Sequence, residues 1–143
     1  MLISTRSRYG LKLMYELALR YGEQPVFLKD IANAHAISEK YLSKLVIPLR
    51  GVGLVSSFRG AHGGYALARE PRAITLWDIV QVLEGMAAPA TGPRRRHGAD
   101  GVDSHPTDAV WALLDKAVFE TLENVTLESL VQAGRASVPN YQI

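Results

Sequence analysis

Ser38, Lys40, Tyr41, Ser43 and Lys44 lie within one short stretch of chain. Together they carry two aliphatic hydroxyls, a phenol and two ammonium groups, the set that reaches phosphate oxygens and the polar edges of bases. At helical spacing Lys40, Ser43, Lys44 and Ile47 share one face, and Leu42, Leu45, Val46 and Leu49 form the buried stripe opposite. Downstream, Arg59-Gly60-Ala61-His62-Gly63-Gly64 sets a guanidinium and an imidazole in a glycine-rich turn. Glycine permits tight reversal and close backbone approach, and cations are drawn into a narrow minor groove. Arg8 and Lys29 are further candidate DNA contacts. The chemistry these groups suit is nucleic-acid recognition; the plainer readings are a solvated helix face and a solubilised turn.

Other chemistries fare worse. His97, Asp100, Asp103, His105 and Asp108 crowd one loop and suggest a metal-sensing regulator, yet they match no standard ligand spacing, and imidazole ligands need held second shells. A polar loop explains them equally. Arg94-Arg95-Arg96 reads as a phosphate or protein contact or as a solvated charge run. Asp30, His35, Ser38 and Glu39 are near in sequence, but no arrangement supplies nucleophile, base and orienting group together, so the chain does not read as an enzyme. His35 reads as a partly buried turn residue. The chain has no cysteine, which excludes disulfides, thiolate nucleophiles and cysteine-held zinc or iron-sulfur centres.

The elements that position these groups follow from apolar spacing. Leu11, Met14, Leu17, Ala18 and Tyr21 predict a helix from Thr5 to Tyr21, ended by Gly22. Leu28, Ile31, Ala32 and His35 predict a short second helix, and Ala36-Ile37 a turn. Ser38 is a good N-cap for a third helix, with Glu39 in its first turn. Pro48 should loosen the last turn of that helix, and Gly51 and Gly53 should end it. Leu54–Phe58 and Tyr65–Ala68 predict a hairpin around the glycine-rich tip. Thr75 and Asp78 form a capping-box-like start for a helix from Leu76 to Glu84, stopped by Gly85. From Thr107 a long helix carries a stripe of Trp111, Leu114, Val118, Leu122 and Val125, widened by Val110, Ala117 and Phe119. A last helix beginning near Thr126 carries Leu127, Leu130 and Val131. The expected fold is mostly α: a winged helix-turn-helix head (1–85) with a two-stranded wing, a loop (86–106), a long dimerisation helix with a short last helix (107–134), and a tail (135–143).

The chain's 143 residues, 48% of them hydrophobic, allow one compact head with an appendage. Residues 1–72 carry net +6 and residues 73–143 net −4, so a basic half is available to phosphate. No run of about 18 apolar residues is present, and the N-terminus lacks signal-peptide order, so a cytoplasmic protein with no membrane partner is expected. The long-helix stripe lacks enough head surface in its own chain to cover it, which predicts a homodimer. A competing reading makes the head a protein-binding module, for example the partner of a metabolic enzyme.

The sequence resembles the Rrf-type bacterial transcriptional regulators over most of its length. The likeness is carried by Ser7-Arg8-Tyr9-Gly10, Leu28-Lys29-Asp30-Ile31-Ala32, Ile37-Ser38 with Tyr41-Leu42, Gly53-Leu54-Val55-Ser56-Ser57, and above all Arg59-Gly60-Ala61-His62-Gly63-Gly64-Tyr65-Ala66-Leu67. Ile74-Thr75 with Asp78-Ile79, Val110-Trp111 and Val125–Leu130 extend it. The resemblance implies a homodimer of winged heads on a pseudo-palindromic operator of double-stranded DNA. Members with an iron-sulfur cluster hold it with three cysteines before the long helix; the matching positions fall near Pro93, Ala99 and His105, with a further ligand position near Asp108. None of these supplies a thiolate, so no cofactor is expected, and any effector must differ from theirs.

Overall fold

The computed structural model describes residues 3–86 and 105–137. Six helices and one antiparallel hairpin make up these residues: α1 (Thr5–Leu19), α2 (Leu28–His35), α3 (Glu39–Gly51), β1 (Val55–Phe58), β2 (Gly64–Leu67), a 3-10 turn (Pro71–Ala73), α4 (Leu76–Glu84), α5 (Pro106–Asn124) and α6 (Leu127–Ser137). Among them no helix is long and apolar enough to cross a membrane. The positions expected in the loop, His97, Asp100, Asp103, Arg94–Arg96, Pro93 and Ala99, lie outside the described residues.

Helix α1 is the hub. It buries Ser7, Gly10, Leu13, Met14, Leu17 and Ala18, and it packs against α2, α3, α4, α6 and β2. Gly10 is dictated by packing: a Cβ built there would meet Leu83 Cδ1 at 2.2 Å, so only glycine lets α4 cross this closely. At the start of the helix the N-cap residue Ser4 makes no side-chain cap of its own. The cap comes from Glu84, the last residue of α4. One carboxylate oxygen accepts from the Ser4 backbone N–H at 2.8 Å, from the Ser4 hydroxyl, and from the buried Ser7 hydroxyl at 2.6 Å. A carboxylate at this end also suits the helix dipole.

The C-terminal helices are stitched to the same core. Leu76 N–H donates to the Val125 carbonyl (2.9 Å) and Leu127 N–H to the Ile74 carbonyl (3.0 Å), around a Thr75–Thr126 bridge. Leu127 and Val131 are thereby buried in the one hydrophobic cluster with Leu13, Leu45 and Ile79. The last helix is therefore part of the head.

Most predicted elements are present, with local differences. Helix α1 ends at Leu19, because Arg20 and Tyr21 turn into i→i+3 hydrogen bonds before Gly22 takes φ +84°. Helix α3 runs through Pro48 to Gly51, although proline has no N–H to donate to the preceding turn. The long helix begins at Pro106 behind an N-cap at His105, and α6 continues to Ser137, so Arg135 to Ser137 are helical where a tail was expected. Gly134 faces α1, where an added Cβ would meet the Tyr15 hydroxyl at 2.3 Å.

The Glu84 cap generates a pH prediction. Its hydrogen bonds from Ser4 and then Ser7 hold its pKa below the ordinary 4.5, against the opposing effect of burial. A depressed folded-state pKa contributes stability that is present above 4.5 and lost as pH falls through the folded value. Glu84→Gln is expected to destabilise the protein by about 0.5–2 kcal/mol at neutral pH, the scale of a lost N-cap. It is also expected to flatten the loss of stability on acidification below pH 4.5, measured by denaturant unfolding across pH.

Candidate nucleic-acid interface

The helix-turn-helix is built locally. Helix α2 closes at Ala36, the only non-glycine residue with positive φ (53°) among the described residues, and Ile37 N–H reaches back to the Ala32 carbonyl at 3.0 Å. His35 ends α2 half-buried, with Nε2 2.9 Å from Glu16 Oε1; it is a clasp between α2 and α1. Ser38 Oγ accepts from Tyr41 N–H at 3.3 Å and so starts α3 at a defined residue.

Leu42, Leu45, Val46 and Leu49 bury the inner face of α3, which leaves Lys40, Lys44 and Ile47 exposed on the outer face, with Ser43 half-buried beside them. Ser43 Oγ donates to the Glu39 carbonyl at 2.9 Å. Its lone pairs are therefore free for a donor such as an exocyclic base amine. Ile47, 67% exposed, adds a branched apolar group to this face, of the kind that covers a thymine methyl. Tyr41 stands differently: it is half-buried, and its ring meets Tyr9 edge-on at 5.8 Å and 86°. It locks α3 to α1 as well as offering a hydroxyl.

The wing pairs Val55 with Leu67 through Phe58 with Gly64. A third backbone segment widens it, because Val26 and Tyr65 exchange both of their N–H···O bonds at 2.8 Å. Close approach there requires Gly64, where a Cβ would lie 2.6 Å from the Val26 carbonyl oxygen. The tip is closed by Gly63 N–H to the Gly60 carbonyl (3.0 Å) and presents Arg59 and His62 to solvent.

Lys29 is exposed in the first turn of α2. Arg8 is exposed on α1, where it lines a separate groove with Thr5, Tyr9, Lys12 and Tyr15. Those neighbours received no role in the sequence reading, although Thr5, Arg8, Lys12 and Tyr15 recur at helical spacing. The ion pairs of the described residues are His35–Glu16, Arg72–Glu70 and Lys116–Glu120. None uses Lys29, Lys40, Lys44 or Arg59, so these cations are available to phosphate.

The expected dimerisation stripe divides in two. Val118 and Leu122 are half-buried on the face where Phe119 sets its ring edge-on against Trp77 of α4, with centroids 4.8 Å apart. Val125, also half-buried, is the C-cap residue that accepts from Leu76. Half of the stripe is thus covered by its own head, contrary to expectation. Trp111 and Leu114, with Val110 and Leu113, are 46–67% exposed. His105 and Asp108 cap α5: His105 Nδ1 accepts from Thr107 N–H at 3.2 Å, and the Asp108 carboxylate from His105 N–H at 3.1 Å. No group of three or more His, Cys, Asp or Glu able to hold a metal occurs among the described residues.

Residues 3–133 match the Rrf2 family, described as an iron-dependent transcriptional regulator. The chain is 47% identical to the HTH-type transcriptional regulator CymR of Bacillus subtilis over 91% of this chain and 89% of that one, and 39% identical to protein rrf2 of Nitratidesulfovibrio vulgaris over 92% and 88%. Its fold is similar to the solved structures of CymR, the global cysteine regulator of B. subtilis (TM-score 0.79, 46% identity, covering 93% and 98%), and of T. potens IscR (TM-score 0.78, 40% identity, covering 94% and 88%). A helix-turn-helix with an exposed cationic face, a basic wing tip and relatives that are regulators along nearly their whole length lead to one assignment: the chain belongs to the Rrf2 family of DNA-binding winged helix-turn-helix transcriptional regulators.

Proposed function

We propose that the protein acts as a homodimer on a pseudo-palindromic operator, with α3 of each head in a major groove and each wing tip in the adjacent minor groove. The observation that carries this reading is the outer face of α3, where Lys40, Lys44 and Ile47 stand exposed and neither lysine has a carboxylate partner among the described residues. The major groove, about 12 Å wide, admits such a helix. Lys29, Lys40 and Lys44 contact phosphate, Ser38, Ser43 and the Tyr41 hydroxyl reach base or sugar edges, and Arg59 with His62 enters the minor groove. The exposed apolar start of α5, Val110 to Leu114, supports pairing with a second copy, since a contiguous patch of this kind marks an interface.

An iron-sulfur cluster does not fit this chain. Cluster irons are held chiefly by thiolates, and even histidine-containing types keep cysteines on one iron. The chain has none, and His105 and Asp108, at two of the ligand-matching positions, are committed to capping α5. Regulation by oxygen or nitric oxide through a cluster is not part of this reading.

Selection of DNA from a random pool, followed by titration of the selected site, tests the function. Arg59→Ala is expected to weaken binding by about 1–3 kcal/mol and to relax preference at one position, whereas Lys44→Ala weakens all sequences alike and lowers the salt slope by about one. An Arg59→Ala protein with unchanged affinity and site preference removes the wing from the mechanism.

For the dimer, Trp111→Ala with Leu114→Asp is expected to yield monomers by light scattering and to lose most operator affinity, because each buried large side chain is worth about 1.5–3 kcal/mol. A double variant that stays dimeric places the interface elsewhere.

Anaerobic reconstitution with iron and sulfide is expected to leave the protein colourless and free of stoichiometric iron. A coloured protein with bound iron overturns the cofactor reading.

A further inference from the structure

Two phenylalanines at the wing have no place in the core. Phe27 is 48% and Phe58 50% exposed, and neither ring meets another aromatic ring among the described residues. Tyr65, packed against the core, pairs with Ser57 of β1 on one side and with the buried Val26 on the other. Side chains alternate along extended backbone, and Phe27 is extended (φ −76°, ψ 137°), so Phe27 and Phe58 stand on the opposite, outer face. Gly64 lies between them. It is the strand partner of Phe58, and a Cβ built on it would lie 2.6 Å from the carbonyl oxygen of Val26, the residue before Phe27. Two strand spacings, about 9–10 Å, separate the phenylalanines. They form a slot with an aromatic wall on each side and bare backbone as its floor.

A cation stands beside each wall. Arg59 follows Phe58 directly and Lys29 follows Phe27 by two residues; both are exposed, and neither is ion-paired among the described residues. The slot is therefore continuous with the DNA interface and bordered by groups that attract phosphate. An occupant of this site is apolar in the middle and anionic beside it. The sugar of a DNA strand, with its C2′ methylene and adjoining phosphate, has that form.

We propose that Phe27, Gly64 and Phe58 clamp one deoxyribose in each half of the operator, on the strand that parts the groove read by α3 from the groove entered by the wing tip. Lys29 holds the adjoining phosphate, and Arg59 passes on into the minor groove. The clamp deepens the operator reading above and rests on it. Carbon walls accept a methylene, whereas a 2′-hydroxyl held between phenyl rings is stripped of water and gains no partner. The slot thus makes the sugar itself a specificity determinant, with deoxyribose favoured over ribose at that nucleotide.

The test is anisotropy titration of the selected operator with a single ribonucleotide moved along each strand. One position per half-site is expected to cost about tenfold in affinity, and a 2′-fluoro sugar there, which keeps the ribose pucker without the O–H, less than about threefold. Phe27→Ser with Phe58→Ser should weaken the all-deoxy operator about tenfold, leave the salt slope unchanged where Lys29→Ala lowers it by about one, and abolish the ribose penalty. Phe27→Leu with Phe58→Leu keeps the carbon walls and should keep the penalty. Should the first double variant fail to fold, the scans of the wild type and of the second decide. No position costing more than about twofold, an equal cost from 2′-fluoro, or a ribose penalty that survives Phe27→Ser with Phe58→Ser overturns the clamp. Wild-type affinity in that double variant also overturns it, the result expected if the rings dock a protein. Its conversion to a monomer does the same, since a second copy then covers the rings. A wild type that binds its operator with no ribose-sensitive position defeats the clamp alone; one that selects no DNA defeats the operator reading and the clamp with it.

Discussion

The carboxylate of Glu84 over the N-terminus of α1 is the contact on which the arrangement turns. It joins the last residue of α4 to the first turn of the helix that packs against α2, α3, α4, α6 and β2. The same two helices cross at Gly10, where the absence of a side chain lets Leu83 seat against the α1 backbone. One contact is electrostatic and directional, the other steric, and they lie on adjacent turns of α1. Together they set the angle between α1 and α4, and so the placement of α3 on one side and α5 on the other.

From that hub the reading surface is presented by exclusion. The apolar stripe of α3 is consumed by α1, α4 and β1, so the cations and Ile47 have only solvent to face. Tyr9 and Tyr41 close the α1–α3 seam with a ring contact that tolerates small rotations better than an interdigitated aliphatic core does. The wing is anchored by the paired hydrogen bonds of Val26 and Tyr65 at its base, so its tip projects as a braced turn. Helix α3 and the wing are thus both seated on a common scaffold through α1.

Helix α5 divides between a packed part and an exposed part. Phe119 and its neighbours pack on the head, and Val110, Trp111, Leu113 and Leu114 stand exposed among the described residues. The junction is fixed by the Thr75–Thr126 bridge, so a change in the partner of the exposed part would be felt at α4 and α6. The chain has no cysteine, and the His105 ring nitrogen and Asp108 carboxylate accept hydrogen bonds in the cap of α5.

Much of this was legible in the residues. Ser38 and Thr75 announced their helix starts because capping is a local matter of one side chain and one backbone N–H. The glycines of the wing announced a hairpin because positive φ and close approach are local demands. The outer face of α3 followed from period alone. The long-range relations were not legible: that Glu84 caps a helix eighty positions upstream, that α6 packs into the core of the head, that Phe119 of α5 meets Trp77 of α4, and that Arg8 shares a groove with Lys12 and Leu130. Periodicity states that a face is apolar but not which surface will cover it, and a carboxylate's partners depend on where the chain returns. The sequence by itself determined the elements, most of their caps and which face of α3 is polar; only the tertiary structure decided which faces meet, because burial and long-range hydrogen bonding are properties of the packed chain.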